Sequence, residues 1–252
     1  MSLCQAPVYD QIGGRYARAR QADPRIAGRI IDALADASSV LNVGAGSGSY
    51  EPRDRSVVAV EPSGTMLAQR PPGSAPAVRA RAEALPFATD AFDAALGVLT
   101  VHHWSDRAAG LAELRRVARG PVVLFTRDGE AAPFWWLHHY FPATGRLERS
   151  RETRFSELAE MLGGTVQVVP VPIPADCTDG FNAAYWRRPG DYLNPEVWRA
   201  MSALAMIGEA DRAAGMRHLQ DDLDSGEWDR RWGHLRSLDE LDLGYRLLIA
   251  RP

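Results

Sequence analysis

The sequence predicts an α/β fold, a doubly wound and mostly parallel sheet of seven strands that carries a helical lid over its substrate. Between residues 24 and 127, short apolar runs alternate with stretches of helical periodicity, an order typical of parallel sheets. Glycines directly follow the first apolar run, where sheets of this kind bind ligands. After residue 127 the alternation gives way to an aromatic-rich segment, which indicates structure added to the sheet.

The first half of the chain is predicted to contain three helices and five strands. Asp23 and Pro24 are a favoured N-cap and first helical residue, and isoleucines at helical spacing extend this helix over 24–36. Further helices are predicted at 63–69 and 106–119. Short apolar runs, typical of buried parallel strands, predict the strands at Ser39–Val43, Ser56–Val60, 76–80, 92–99 and 121–126.

The second half is predicted to complete the sheet around two insertions on the substrate side. A helix at 155–162, a strand at 166–171 and a last strand at 244–249 continue the core pattern. The insertions are 130–150 and 175–235, the second mostly helical with periodic stretches at 195–206 and 209–223. We therefore expect one domain with a single core over 1–252, divided into N-terminal helices at 1–37, a central part at 38–127, the insertions and a final segment at 243–252.

Composition limits the classes of partner. The net charge of −3 over 252 residues argues against nucleic acid as the partner. No apolar run approaches the roughly 18 residues that span a bilayer, so no membrane association is predicted. The N-terminus lacks the features of a signal peptide, and Cys4 and Cys177 form no disulfide framework or zinc motif. A cytoplasmic protein, either monomer or homodimer, is expected.

The glycine segment is the strongest indication of a ligand site. Gly44, Gly46 and Gly48 follow a buried strand, where a sharp turn and a close ligand approach require glycine. Glu61 ends the next strand, where a carboxylate can accept hydrogen bonds from ribose hydroxyls. A dinucleotide fingerprint would need glycine at position 49, which is Ser49. The pattern therefore favours a nucleoside ligand without a pyrophosphate.

Five motifs in order resemble the class I S-adenosylmethionine (SAM)-dependent methyltransferases, and in particular the small-molecule subgroup related to ubiquinone and menaquinone biosynthesis. The segment 42–48 resembles the loop around the methionine part of SAM, and 60–66 resembles the segment with the ribose acid and an adenine-packing methionine. The segments 82–87, 92–104 and 111–117 resemble the adenine edge, the fourth strand with its exit loop, and the next helix. The resemblance implies a Rossmann-like fold, SAM as cofactor, and cofactor contacts from Gly44, Ala45, Gly46, Glu61, Pro62, Met66, Ala82, Glu83 and Leu99.

One position departs from the family pattern, and two N-terminal positions match it. Arg81 stands where the family often has an acid that accepts a hydrogen bond from the adenine amine, and an arginine can only donate. Adenine recognition then falls to the backbone of Ala82 or to stacking by Arg81. Tyr16 and Arg20 match a tyrosine and an arginine that close over the methionine carboxylate in similar enzymes, although a surface helix would also explain them.

Methyl transfer from a sulfonium is an in-line displacement that chiefly needs alignment in a dry site. A general base is required only if the acceptor must lose a proton. His103 and His102, just beyond the fourth strand, are the candidates, with His103 preferred. The alternative is that one histidine packs on Trp104 while the other faces solvent. No metal site is predicted at this pair or at 138–139, because adjacent residues point apart and no third ligand is evident.

Aromatic residues after the fifth strand predict the substrate wall. Trp135, Trp136 and Tyr140 lie in the first insertion, and Trp186 lies in the second. The alternative is that most of them form the core of the lid. The predicted acceptor is a small molecule, because the segment 97–102 lacks the motif with which nucleic-acid methyltransferases grip a flipped base. A non-catalytic SAM-binding protein and an NAD-dependent oxidoreductase are the remaining alternatives.

Overall fold

The computed structural model describes residues 20–128, 130, 136–150 and 154–252. A seven-stranded sheet runs through it in the order β3-β2-β1-β4-β5-β9-β6. The first five strands of this order pair in parallel, whereas β9 pairs antiparallel with both β5 and β6. Its strands are β1 (Ser39–Val43), β2 (Ser56–Val60), β3 (Ala77–Val78), β4 (Ala94–Val98), β5 (Val122–Arg127), β6 (Thr165–Pro170) and β9 (Tyr245–Arg251). The predicted seven-stranded doubly wound sheet is confirmed.

Strand lengths follow the apolar pattern closely where both faces of a strand are buried. The first two strands have the predicted bounds, while β3 shortens to two residues because it forms an edge with one partner and little burial. A second, two-stranded sheet pairs β7 (Ile173–Pro174) with β8 (Glu240–Leu241) at the two ends of the second insertion.

Ten α-helices and three 3₁₀ turns occur in the described residues. The helices are α1 (Pro24–Ala33), α2 (Gly64–Leu67), α3 (Arg107–Val117), α4 (Leu137–Tyr140), α5 (Pro142–Arg149), α6 (Phe155–Leu162), α7 (Pro195–Trp198), α8 (Ser202–Met206), α9 (Glu209–Ser225) and α10 (Glu227–Trp232). The 3₁₀ turns are Val101–His103, Pro189–Leu193 and Gly233–Ser237. In that part of the chain, no helix is long and apolar enough to cross a membrane.

Side-chain caps begin the helices that flank the sheet. Asp23 accepts a hydrogen bond from the Arg25 amide at the start of α1, as its sequence position predicts. Ser63 and Asp106 cap α2 and α3 in the same manner. The hydrogen bonds satisfy amide groups that a helix N-terminus otherwise leaves unpaired.

The apolar residues form two clusters, one on each face of the sheet, instead of the single core predicted. Alternation along the strands explains this: Val123 and Phe125 of β5 face one cluster, whereas Val122 and Leu124 face the other. The first cluster continues without a break into the second insertion through Trp186 and Trp228. The insertion therefore shares a core with one face of the sheet.

The second insertion is less helical than its periodicity predicts. No α-helix forms over 175–194, and the periodic stretch 195–206 divides into α7 and α8. Met201 separates them in an extended conformation, with φ −96° and ψ 112°, and its side chain is buried in the first cluster. Tertiary packing of this side chain thus outweighs the local helical pattern.

Candidate active site

The glycine segment turns sharply at the carboxyl end of β1. Gly44 has φ +70°, and a Cβ atom there would lie 1.9 Å from Oγ1 of Thr100. The amides of Gly44 and Ala45 both donate to the carbonyl oxygen of Val60, at 2.8 and 3.0 Å. Glycine is therefore required at position 44 by both the backbone angle and the space available.

Glu61 is a buried carboxylate whose orientation is fixed by two backbone amides. Its Oε2 accepts from the amide of Gly46 and its Oε1 from the amide of Ser63, both at 2.8 Å. The residue is 5% exposed, and Pro62 follows it at the end of β2. The structure thus brings the predicted ribose acid against the glycine turn, in a fixed geometry that suits an acceptor of hydroxyl groups.

Met66 and Ala82 are both buried, and Met66 lies beside this turn. The Met66 methyl carbon would lie 3.2 Å from a Cβ atom on Gly46, so the methionine packs against the turn. Ala82 belongs to the second apolar cluster. Met66 of α2 and Glu61 at the end of β2 thus both lie against Gly46.

Glu83 has a structural partner at the start of α3. Its Oε1 accepts from the amide and hydroxyl of Ser105, each at 2.8 Å, and from the Asp106 amide at 3.2 Å. Burial acts to raise the Glu83 pKa, but these hydrogen bonds outweigh burial and hold the pKa below its ordinary value. The carboxylate is thus directed at the α3 loop, and a cofactor contact by Glu83 would have to come from its other atoms.

The exit of β4 adopts a strained turn. Leu99 has φ +50°, a left-handed angle uncommon for a leucine, and its amide donates to the carbonyl oxygen of Phe125 at 2.7 Å. Thr100, which follows it, accepts a hydrogen bond at Oγ1 from the Trp104 indole at 3.2 Å. Strain of this kind persists where surrounding contacts enforce it, and it is common at functional sites.

A cleft of about 960 Å³, measured out to its opening into solvent, adjoins this turn. It lies at the carboxyl ends of β4 and β5, where Leu99, His102 and Thr126 contribute to its wall, together with Tyr245 of the adjacent strand β9. Residues 200–203 from the second insertion form another side. Leu99 and Val101 of the cleft wall flank Thr100, whose side chain lies against Gly44, so the cleft and the glycine turn are contiguous.

A polar network forms one end of the cleft around Glu148 of α5. Asn182 donates to Glu148 Oε1 at 2.6 Å, while Arg127 at the end of β5 lies 3.4 Å from Oε2. His138 contacts the same Oε2 through Nε2 at 3.0 Å. Sequence reasoning missed this network: Arg127 could have been found from its position at a strand end, whereas Glu148 and Asn182 stand in no motif.

Of the two candidate bases, His102 lies in the cleft wall. His103 is absent from the described lining, although the two rings are 4.0 Å apart between centroids. The 3₁₀ turn Val101–His103 explains the difference, because consecutive side chains on it point in different directions. The cleft geometry thus favours His102 over the preferred candidate His103 as the histidine that could reach an acceptor.

Arg20 lines the cleft but is paired with the second insertion. Its Nε and Nη2 donate to the two carboxylate oxygens of Asp179 at 2.6 and 3.2 Å, and both side chains are almost fully buried. Tyr50 donates its hydroxyl to the same carboxylate at 3.0 Å. The resemblance implied that Arg20 holds a cofactor carboxylate, whereas here its guanidinium already has one from the protein. Tyr16 lies outside the described residues.

The predicted aromatic wall is instead a core. Trp136 and Trp186 are fully buried, and their indoles donate to the carbonyl oxygens of Trp186 and Ile173 at 2.9 and 3.0 Å. Tyr140 is also buried and donates to Asp222. None of these three lines the cleft in the described structure, because aromatic surface is most stable when the insertion packs it away from water. Trp135 lies outside the described residues.

Comparisons with known proteins identify the family and the fold. Residues 41–125 match the model of a methyltransferase domain. A crystal structure from Anabaena variabilis, described as a methyltransferase of an antibiotic biosynthesis pathway, is 32% identical with a TM-score of 0.87 and covers 92% of this chain and 98% of its own. The SAM complex of phosphoethanolamine N-methyltransferase 2 from Haemonchus contortus shares the fold, at 14% identity and a TM-score of 0.57 over 99% of this chain and 60% of its own.

A curated relative is a tRNA methyltransferase. The tRNA (carboxymethyluridine(34)-5-O)-methyltransferase alkbh8 of Xenopus tropicalis is 25% identical over 177 residues, which is 68% of this chain. The chain spans about a quarter of that relative's length, 27%.

Proposed function

We propose that this chain, which belongs to the class I SAM-dependent methyltransferases, transfers the methyl group to an oxygen, nitrogen or carbon atom of a small polar molecule. The observation that carries the proposal is the cleft that begins at Leu99, directly beside the glycine turn. A cofactor on the turn and an acceptor in the cleft would then meet at the exit of β4. That arrangement matches what an in-line displacement requires.

The residues around the turn fit SAM. Gly44 and Gly46 allow the tight turn, because a Cβ atom on Gly44 would overlap Thr100 and one on Gly46 would lie 3.2 Å from the Met66 methyl carbon. Glu61 supplies an oriented carboxylate for ribose hydroxyls, and Met66 supplies buried apolar surface for the base. When bound, SAM provides a methyl group activated by the positive charge on its sulfur.

The chain's own contribution is to position the acceptor and to manage its proton. Apolar residues of the cleft such as Leu99 and Met201 exclude water, while Arg127 and Glu148 orient polar groups of the acceptor. An imidazole nitrogen of His102 takes the proton when the acceptor atom is a hydroxyl, an ammonium or an acidic carbon. A polar acceptor is favoured because the buried Asn182 Oδ1 in the cleft wall accepts no hydrogen bond from the described residues, and a polar group of the acceptor could donate one.

The size of the acceptor follows from charge and from the cleft's walls. The net charge of −3 gives little attraction for the phosphates of a tRNA. The second insertion forms part of the cleft wall through residues 200–203, so a molecule must fit between it and the sheet. These features favour a small molecule over the tRNA acceptor of the curated relative.

Titration calorimetry with S-adenosylhomocysteine, the product form of the cofactor, tests the cofactor site. We expect micromolar binding that falls at least roughly 30-fold in Glu61→Ala, because a charge-assisted hydrogen bond is worth about 2 kcal/mol. Glu160→Ala, at an exposed position on α6, is the control. Equal affinity of the two variants for S-adenosylhomocysteine would disprove the assigned site. Binding of NAD in place of S-adenosylhomocysteine would favour the oxidoreductase alternative.

Isotope transfer from methyl-labelled SAM tests the acceptor. Label should enter a low-molecular-weight cell extract and leave bulk tRNA unlabelled. His102→Ala should reduce this transfer while His234→Ala, on an exposed 3₁₀ turn, leaves it unchanged. Label in tRNA would contradict the small acceptor, and binding without any transfer would favour a non-catalytic SAM-binding protein.

A further inference from the structure

The second insertion carries a cluster of metal-ligating side chains outside the cleft. His139 of α4 lies beside His218 and Asp222 of α9, and one ligand atom of each lies within 4.8 Å of the others. The two imidazole rings are 5.1 Å apart between centroids. His218 Nε2 and Asp222 Oδ2 are 3.7 Å apart, as expected for residues one helical turn apart on the same face.

Close packing of two helices produces this cluster. Gly215 of α9 approaches α4 so closely that a Cβ atom there would lie 2.4 Å from the Phe141 ring and 2.5 Å from the Tyr140 carbonyl oxygen. His218 and Asp222 follow Gly215 by three and seven residues, so they share its face of the helix. The sequence-based argument that no third ligand accompanies 138–139 is therefore wrong for His139.

The carboxylate of the cluster is already oriented. Tyr140 donates its hydroxyl to Asp222 Oδ2 at 2.9 Å, and the Asp222 side chain is mostly buried. Such a partner fixes a ligating carboxylate in proteins that bind metals. Both histidines are exposed, so an ion can reach them from solvent.

We propose that His139, His218 and Asp222 bind one divalent transition-metal ion such as zinc, which joins α4 to α9. Two imidazoles and a carboxylate suit zinc, which accepts such a set with water in the fourth position. Tetrahedral ligands at about 2 Å from zinc are about 3.3 Å from one another, so the side chains need to close by roughly 1.5 Å at most. Rotation of the two exposed imidazoles provides that movement.

Arg231 of α10 competes for one ligand of this site. Its Nη1 lies 2.9 Å from His139 Nε2, and because a guanidinium only donates, the imidazole nitrogen accepts. Glu227 holds Arg231 through a hydrogen bond of 2.6 Å to Nε. Binding at Nε2 must displace this contact and place a cation near the guanidinium, so Arg231 weakens the site.

Zinc titration of the tag-free full chain, checked by the visible absorption of bound Co²⁺, tests the proposal. We expect one equivalent at low micromolar affinity and a tetrahedral Co²⁺ spectrum. His218→Ala and Asp222→Asn should each weaken binding at least tenfold, whereas the exposed His234→Ala should not. Arg231→Met should tighten binding several-fold, since it removes the competing donor and its charge.

The proposed site would be overturned if the parent protein bound zinc no more tightly than His218→Ala does. It would also be overturned if His218→Ala and His234→Ala lost the same amount of zinc affinity. Circular dichroism of each variant separates loss of ligand from loss of fold. S-adenosylhomocysteine affinity, measured in the same variants, should stay unchanged. A failure of the metal site therefore leaves the proposed methyl transfer untouched.

Discussion

The cofactor region at 38–127 and the second insertion at 175–235 are built on different principles. In the former, backbone geometry makes the site: left-handed glycines, two amides on Glu61 and a strained Leu99 meet at the ends of parallel strands. In the latter, packing of large side chains decides the structure, and Trp136 of the first insertion contacts Tyr192 and Trp228 edge to face. A site made of backbone leaves a recognisable sequence pattern, whereas a site made by packing does not.

A buried carboxylate connects the two regions. Asp179 of the insertion accepts hydrogen bonds from Arg20, which precedes α1, and from Tyr50, which follows the glycine turn. Burial raises the pKa of Tyr50 well above its ordinary value, and the nearby Asp179 charge adds to that effect. The phenol therefore stays protonated as a donor, and the insertion is anchored to the cofactor region at this point.

The largest expected effect tests whether packing alone holds the insertion. Trp136→Ala should lower the free energy of unfolding by about 3–5 kcal/mol, because it empties a fully buried position and removes an indole hydrogen bond. Chemical denaturation measures the change. Trp198→Ala, at a partly exposed position, should cost much less. Similar costs for the two would mean that the aromatic core does not dominate the stability of this region.

The next effect tests whether backbone geometry alone makes the cofactor site. Gly44→Ala should weaken S-adenosylhomocysteine binding about 100-fold, or about 2.8 kcal/mol, since the new Cβ would lie 1.9 Å from Thr100. Gly73→Ala is the matched control, with φ +82° but nothing within 4 Å of its Cβ. If Gly73→Ala weakens S-adenosylhomocysteine binding as much as Gly44→Ala does, the loss would come from strain at any positive-φ position and not from the contact with Thr100.

The smallest effect tests whether the Glu83 carboxylate contacts the cofactor or only stabilises the folded protein. Glu83→Gln should reduce stability by about 1–2 kcal/mol, through weaker hydrogen bonds to Ser105 and Asp106, and change S-adenosylhomocysteine affinity less than twofold. A large loss of affinity without a loss of stability would instead place the carboxylate at the cofactor.

The same residue predicts a pH dependence. Because its folded pKa lies below the ordinary 4.5, the carboxylate's stabilisation is complete above that pH and disappears as the pH falls through the folded value. The stability difference between the parent and Glu83→Gln, followed by denaturation from pH 7 to 3, should therefore shrink on acidification. A difference that grew on acidification would contradict the lowered pKa.

The sequence by itself determined the sheet and the glycine turn. Short apolar runs specify the buried strands. Gly44 and Glu61 specify the turn, because Gly44 permits its backbone angles and Glu61 accepts a hydrogen bond from the Gly46 amide nearby in sequence. The family motifs lie in this same part of the chain, with the domain model matching 41–125. Local chemistry is therefore sufficient to predict this half.

Only the tertiary structure decided where the remaining side chains went. His138 and His139 are adjacent, yet His138 contacts Glu148 at the cleft while His139 lies beside His218, which is 79 residues away. Three aromatic residues expected to contact substrate, Trp136, Tyr140 and Trp186, are buried, because their apolar surface gains more free energy from packing in the core. Such choices depend on contacts between segments distant in sequence, and no local pattern encodes them.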